Sequence, residues 1–129
     1  MEAKKLVQLC YAHADNRKGG NPAILDVRGL STVTDFFLIV TGTSARHLRA
    51  ITEEVVDQVK KEHRIRPHHI DGNVGTGWVV VDYHDVIVHA MTEKMRDRYD
   101  LEALWGDAPQ VKPRRPRGMG SRGTTKKDG

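Results

Sequence analysis

The sequence has a single cysteine, few aromatic residues and no long apolar run, and these shortages exclude several classes of protein. Cys10 has no second cysteine with which to form a disulfide or a cysteine-based metal cluster, which indicates a reducing compartment. No apolar stretch approaches the ~20 residues that a membrane-spanning helix needs. The N-terminus lacks the charged and apolar regions of a signal peptide. We therefore expect a cytoplasmic protein, and 129 residues are enough for one domain with its own core.

Positive charge is concentrated at the C-terminus. The chain has a net charge of +4, but residues 111–129 contain seven Lys and Arg and one Asp, which leaves −2 for residues 1–110. This end is rich in Gly and Pro and has no aromatic residue, so it is expected to be disordered. We divide the chain into a folded domain, residues 1–109, and a disordered basic tail, residues 110–129. Such a tail contacts RNA phosphates or only keeps the protein soluble.

Apolar periodicity predicts an α+β domain. Helical spacing predicts helices over residues 2–16, 44–62 and a region that begins after Thr92. Runs of β-branched and aromatic residues predict strands over residues 23–28, 35–40, 68–71, 78–82 and 85–91. The resulting order, α-β-β-α-β-β-β-α, is typical of helices packed on one mixed five-stranded sheet.

The stretch GWVVVDYHDVIVH, residues 77–89, predicts a β-hairpin. With a two-residue turn at Tyr83 and His84, Asp82 would lie opposite Asp85. A turn of that kind needs a positive φ at its second position, which is less favourable for His than for Gly. A longer turn is therefore the alternative.

The two faces of this hairpin differ in composition. Because side chains alternate along a strand, one face carries only aliphatic residues. The other face mixes an aromatic residue, aliphatic residues and polar residues: Trp78, Val80, Asp82, Asp85, Ile87 and His89. An aromatic side chain beside aliphatic and charged ones is typical of an interaction surface. In the alternative interpretation, a helix covers Trp78.

Other kinds of site have weaker support. His69 and Asp71 share a strand face but form only a two-ligand fragment, so no metal site is expected. Cys10 lies on an apolar helix stripe, which favours a structural role. The turn TGTS, residues 41–44, follows a buried strand and begins a helix, so its N–H groups could bind a phosphate. Any strand–turn–helix needs similar residues, so this signal is weak.

Three blocks of sequence resemble one family. LDVRGLSTVTDFFLIVTGTSARH (25–47), GWVVVDYHDVIVH (77–89) and YDLEALWGDAP (99–109) resemble the Iojap-like ribosomal silencing factors of bacteria and organelles. The resemblance implies a nucleotidyltransferase-like fold without catalytic carboxylates, with no enzyme activity and no cofactor. It also implies binding to the large ribosomal subunit through its protein fourteen. A bound factor would block association with the small subunit and repress translation under nutrient limitation. The family also implies a homodimer.

The resemblance assigns partner contacts to Trp78 and Tyr83. Hairpin geometry and proximity in the sequence extend this surface to Val80, Asp82, Ile87, His89, Met91, Arg98 and Tyr99. The main alternative function is a nucleotide- or phosphate-binding enzyme that uses the TGTS turn. The third is a basic protein that binds RNA through its tail. In the leading interpretation, the tail adds a weak contact to ribosomal RNA.

Overall fold

In the described part of the chain, six strands form one mixed sheet, and helices lie on both of its faces. A computed structural model of the protein describes residues 1–117 and 119. The helices are α1 (Ala3–Asn16), α2 (Ala45–His63), α3 (Glu93–Tyr99) and α4 (Leu101–Leu104). The strands are β1 (Gly20–Asp26), β2 (Phe36–Gly42), β3 (His69–Asn73), β4 (Trp78–Asp82), β5 (Val86–Thr92) and β6 (Gln110–Val111). The predicted α+β class is confirmed.

The strands lie in the order β3-β4-β5-β2-β1-β6. Only β2 and β5 are parallel, and the other neighbouring pairs are antiparallel. Two details differ from the prediction. The sheet has a sixth strand, and the last helical region is divided into α3 and α4 at Asp100, whose φ is +41°. No helix in the part of the chain described here is long and apolar enough to cross a membrane.

The sixth strand lies in the segment for which disorder was predicted. Gln110 and Val111 pair with Leu25 and Ile24 of β1, so the expectation of disorder is wrong for the start of the tail. Strand pairing uses backbone groups, which a segment with few apolar side chains also has. The remaining basic residues of the predicted tail, Arg122, Lys126 and Lys127, lie outside the described residues.

The sheet separates two hydrophobic clusters. One lies between the sheet and the helices α1 and α2, and it includes Phe36, Leu38 and Leu48. The other lies on the α3 side and includes Phe37 and Ile39. Consecutive residues of β2 thus point into different clusters, which explains why this strand is continuously apolar.

The hairpin register differs from the prediction, but the faces do not. Asp82 pairs with Ile87 instead of Asp85, so three residues connect β4 and β5. His84 has φ +77°, and the Asp85 N–H donates to the Tyr83 carbonyl at 3.0 Å, as in a γ-turn. The predicted two-residue turn is therefore wrong. Because strand side chains repeat every two residues, a register shift of two leaves each side chain on its predicted face.

Candidate functional site

An aromatic pair lies at the surface on the α3 side of the sheet. Trp78 begins β4 and is half-buried, whereas Tyr99 ends α3 and is 47% exposed. Their ring centroids are 4.9 Å apart. The Arg98 guanidinium lies 5.7 Å from the centre of the Tyr99 ring, within the range of a cation–π contact. The half-buried Val80 and Ile87 continue this surface along the sheet. We call these five residues the aromatic patch.

A buried histidine supports the patch from below. The Trp78 Nε1–H donates to Nδ1 of His89 at 3.0 Å. His89 is only 8% exposed, and burial lowers its pKa to about 4. The edge of its ring contacts Phe37, with centroids 5.3 Å apart. A neutral imidazole therefore holds the indole in a fixed orientation.

Polar contacts hold α3 and α4 above the sheet. Thr92 caps α3 by accepting from the Met95 N–H. Arg96 donates to both carboxylate oxygens of Glu102, at 3.0 and 2.9 Å, and this partner lowers the pKa of Glu102. Arg96 also donates to Oγ1 of Thr41 on β2, at 2.9 Å. These bonds join both short helices to the sheet and place the end of α3 beside Trp78.

The structure groups most of the predicted contact residues but separates three of them from the surface. His89 and Met91 lie beneath the patch, and Met91 is fully buried. Tyr83 is only 5% exposed and belongs to the hydrophobic cluster under α1 and α2. Its side chain points away from Trp78 because alternation along β4 continues through residue 83. Tyr83, which the family resemblance assigns as a partner contact, is therefore buried and does not lie on the patch face.

Asp82 lies at the hairpin end of the patch face. It is half-buried, and its Oδ1 accepts the His84 N–H at 2.7 Å. This bond stabilises the turn, in which His84 has a positive φ. Asp82 thus has a local structural role and remains at the margin of the patch.

Sequence reasoning missed the contribution of α4 to this region. Trp105 packs against Phe37, with ring centroids 5.4 Å apart, and Leu104 beside it is 73% exposed. The signal was the spacing of Leu101, Leu104 and Trp105, which places apolar groups on adjoining parts of one helical turn. These side chains extend the apolar surface beyond α3.

The TGTS turn has internal partners for its polar groups. The Thr43 N–H donates to Nδ1 of His47 at 2.9 Å. The hydroxyl of Ser44 caps α2 by accepting the His47 N–H at 3.0 Å. A Cβ at Gly42 would lie 2.6 Å from Cδ2 of Leu48, so packing against the helix requires glycine there. Capping and packing thus account for this turn without a phosphate ligand.

The predicted two-ligand fragment of His69 and Asp71 gains no third ligand among the described residues. His69 and Asp71 form an exposed pair at 3.0 Å on the edge strand β3. Within residues 1–117 and 119, no group of three or more His, Cys, Asp or Glu side chains is placed to hold a metal ion.

Comparison with known proteins decides the family. The family model described as ribosomal silencing factor during starvation matches residues 1–128. The chain belongs to this family. Ribosomal silencing factor RsfS of Bacillus subtilis strain 168 is 38% identical over 109 residues, which are 84% of this chain and 92% of that protein. Such relatives are named as silencing factors and not as enzymes.

Solved and organellar relatives agree with this assignment. A crystal structure of a protein from Chromobacterium violaceum has a TM-score of 0.78 and 28% identity, and the match covers 95% of this chain and 97% of that one. A mouse protein named mitochondrial assembly of ribosomal large subunit protein 1 is 38% identical over 74 residues. That match covers 56% of this chain and 32% of the mouse protein. The chain thus has the fold of a silencing factor and a role in translation.

Proposed function

We propose that this silencing factor binds the large ribosomal subunit through the aromatic patch and sterically blocks association with the small subunit. Its direct partner is protein fourteen of the large subunit, and the result is lower translation under nutrient limitation. It acts in the cytoplasm and without catalysis. The contact between the half-buried Trp78 and the exposed Tyr99 at the surface, in a member of this family, is the observation that carries the proposal.

The surroundings of the patch favour a protein partner over RNA. Residues 82–107, which include the hairpin turn, α3 and α4, have a net charge of −4. An acidic surface repels phosphates, whereas aromatic residues and Arg are the side chains that dominate protein–protein binding energies. Trp78 is also held in place by His89 before any partner binds, which reduces the entropy lost on binding.

Steric blocking of subunit association requires only that the protein binds and that the bound domain is large enough. A domain of this size on the face of the large subunit that meets the small subunit would prevent joining without any chemical step. A homodimer, which the family resemblance also implies, would bury the same apolar patch. Dimer formation would then compete with ribosome binding, and dilution would favour silencing.

The test measures binding to separated ribosomal subunits by co-sedimentation and subunit joining by light scattering. We expect binding to the large subunit alone and a loss of joining. Trp78→Ala and Tyr99→Ala should each weaken binding by about 2 kcal/mol, roughly 30-fold, as at hot-spot positions. Ile70→Ala is the matched control, because Ile70 is 51% exposed but lies on the α2 side of the sheet.

Each alternative outcome has a distinct meaning. Equal binding to both subunits would contradict occlusion at the large subunit. If Trp78→Ala and Tyr99→Ala both bind like the parent protein, the patch is not the contact surface. Unfolding of each variant in urea separates loss of contact from loss of fold, and Tyr99→Ala is informative here because the exposed Tyr99 contributes least to the core.

A further inference from the structure

The charge of the domain is divided between two of its sides. Residues 1–18 and 111–117, which form α1 and the segment along it, have a net charge of +6. Residues 82–107, on the side of the aromatic patch, have −4. Two surfaces of opposite sign on one small domain favour two partners of different chemistry.

The basic segment is held in place along α1. We call residues 112–117 the C-terminal strap. The Gln8 side chain donates to the Lys112 carbonyl at 3.0 Å and accepts the Arg114 N–H at 2.8 Å. The Arg115 guanidinium donates to Asp15 at 3.0 Å and to Asn16 at 2.8 Å. The backbone of the strap is thus fixed by bonds that leave its other cations unused.

The remaining cations of the strap face solvent. Lys112, Arg114 and Arg117 are exposed, whereas Pro113, Arg115 and Pro116 are half-buried. Lys5 of α1 and Arg117 line the same cleft, of about 820 Å³, between α1, α2 and the strap. Within residues 1–117 and 119, the side chains of these four residues form no ion pair.

Within the described chain, neither of the two acidic residues of this cleft forms an ion pair with Lys5 or Arg117. Glu54 accepts from Arg17 at 3.2 Å, and Glu62 lies 3.4 Å from Nε2 of the buried His13. Lys5 and Arg117 are therefore available to an external anion.

We propose that Lys5, Lys112, Arg114 and Arg117 form a cationic face that binds the phosphate backbone of RNA. The proposal rests on the proposed ribosome binding and names a second contact for it, with ribosomal RNA. It refines the expectation for the basic tail, because the contact is made by cations on a fixed backbone. Cations on a fixed backbone lose less entropy on binding than cations on a flexible chain.

RNA fits this face better than a membrane surface does. A membrane-binding face needs large apolar side chains among its cations. None of the large apolar residues exposed in the described chain lies on α1 or the strap, and only Met1 precedes α1. Binding of RNA by the cationic face and of protein by the aromatic patch would reinforce each other on one ribosomal subunit.

The test uses the full chain and a fluorescently labelled 20-nucleotide oligouridylate, with binding measured by anisotropy at several salt concentrations. The strap variant combines Lys112→Gln, Arg114→Gln and Arg117→Gln, and the bonds to Gln8 survive because they use backbone atoms. The variant loses three phosphate contacts, and each contact to a single strand contributes about 0.7 to the slope of log K against log salt. The slope should therefore fall in magnitude by about 2.

Two matched triple variants serve as controls. One combines Lys60→Gln, Lys61→Gln and Arg66→Gln, all exposed at or beyond the end of α2. The other changes Arg122, Lys126 and Lys127 to Gln. Both should keep the parent slope within about 0.7, one contact.

Each outcome decides the proposal. Equal loss in the strap and α2 variants would overturn it in favour of diffuse attraction, and loss in the tail variant alone would assign the contact to residues beyond the strap. Strap-dependent binding to phosphatidylglycerol vesicles without RNA binding would make the partner a membrane and overturn it. Trp78→Ala should leave oligouridylate binding unchanged, so failure of the patch and failure of the cationic face are distinguishable.

Discussion

Trp78 on β4 donates its indole N–H to Nδ1 of His89 on β5, across 3.0 Å. This bond requires a neutral imidazole, since Nδ1 can accept only when it carries no proton. His89 therefore bears its proton on Nε2. The orientation of the half-buried indole depends on the protonation state of a side chain beneath it.

The protonation of His89 predicts that the protein is less stable in acid. Burial lowers the pKa of His89 from 6.5 to about 4, so the unfolded chain binds a proton at a higher pH than the native protein does. The stabilisation is complete above pH 6.5 and is lost as the pH falls towards 4. Between pH 7.5 and 4.5, His89 should reduce the free energy of unfolding by about 2 to 3 kcal/mol.

Urea unfolding of the parent and His89→Gln at these two pH values isolates this contribution. Glutamine can accept the Trp78 N–H but does not titrate. His13, whose pKa is also lowered by burial, is present in both proteins. Parallel pH dependences of the two proteins would mean that His89 contributes nothing to the effect.

Tyr83 provides a second prediction, because its side chain lies in the core. Its hydroxyl has no hydrogen-bond partner within the described residues, and burial raises its pKa. Tyr83→Phe should therefore keep the free energy of unfolding or raise it by up to about 1 kcal/mol. Tyr83→Ala should lower it by about 3 to 5 kcal/mol, as for other large aromatic residues in cores.

The same pair of variants tests the corrected position of Tyr83. Tyr83→Phe should bind the large subunit like the parent, since the phenol does not reach the surface. If Tyr83→Phe keeps its stability but loses ribosome binding, the hydroxyl contacts the partner, as the family resemblance implies.

The faces of the hairpin could be predicted from the sequence, but its register could not. Alternation keeps Trp78, Val80 and Ile87 on one face in every register that differs from the predicted one by an even number of residues. The turn itself depends on His84 at φ +77°, a conformation that the residue type does not favour. Here the contacts of Asp82 and Asp85 decide the local structure.

The contacts of the C-terminal strap and of the Trp78–Tyr99 pair could not be predicted from the sequence, because they depend on tertiary interactions. Gln8 and Arg114 are 106 positions apart, and no local pattern predicts a bond between them. From the sequence, Tyr99 joins the predicted surface only by its proximity in the chain, together with Met91 and Arg98. Its contact with Trp78 depends on how α3 is held by Arg96, which is a tertiary interaction.

His84 also predicts a stabilising substitution. Because His84 has φ +77°, His84→Gly should remove the cost of a left-handed backbone at a β-carbon-bearing residue and raise the free energy of unfolding by about 0.5 to 1 kcal/mol. Asp85→Gly is the matched control, since Asp85 does not have a positive φ. It should lower the free energy of unfolding by about 0.5 to 1 kcal/mol. Equal effects in urea unfolding would show that strain at His84 is negligible.

A substitution at Gly42 tests whether this glycine is required for packing against α2 or for binding a phosphate. The fully buried Leu48 leaves no room for a Cβ at this position, so Gly42→Ala should cost about 1 to 3 kcal/mol in the free energy of unfolding. Gly20→Ala is the control, because a Cβ there would meet Thr41 only at ordinary contact distance, 3.4 Å. It should cost less than about 1 kcal/mol.

Ligand linkage tests the same turn in the parent protein. If TGTS bound nucleotides, ATP or GTP at 100 times its Kd with Mg²⁺ would stabilise the fold by about 2.7 kcal/mol and raise the Tm by several degrees. We expect no rise at 1 mM nucleotide, because Thr43 and Ser44 already bond to His47. A rise that Gly42→Ala abolishes would favour the nucleotidyltransferase-like alternative. Such a result would give this turn a ligand in addition to its role in capping α2.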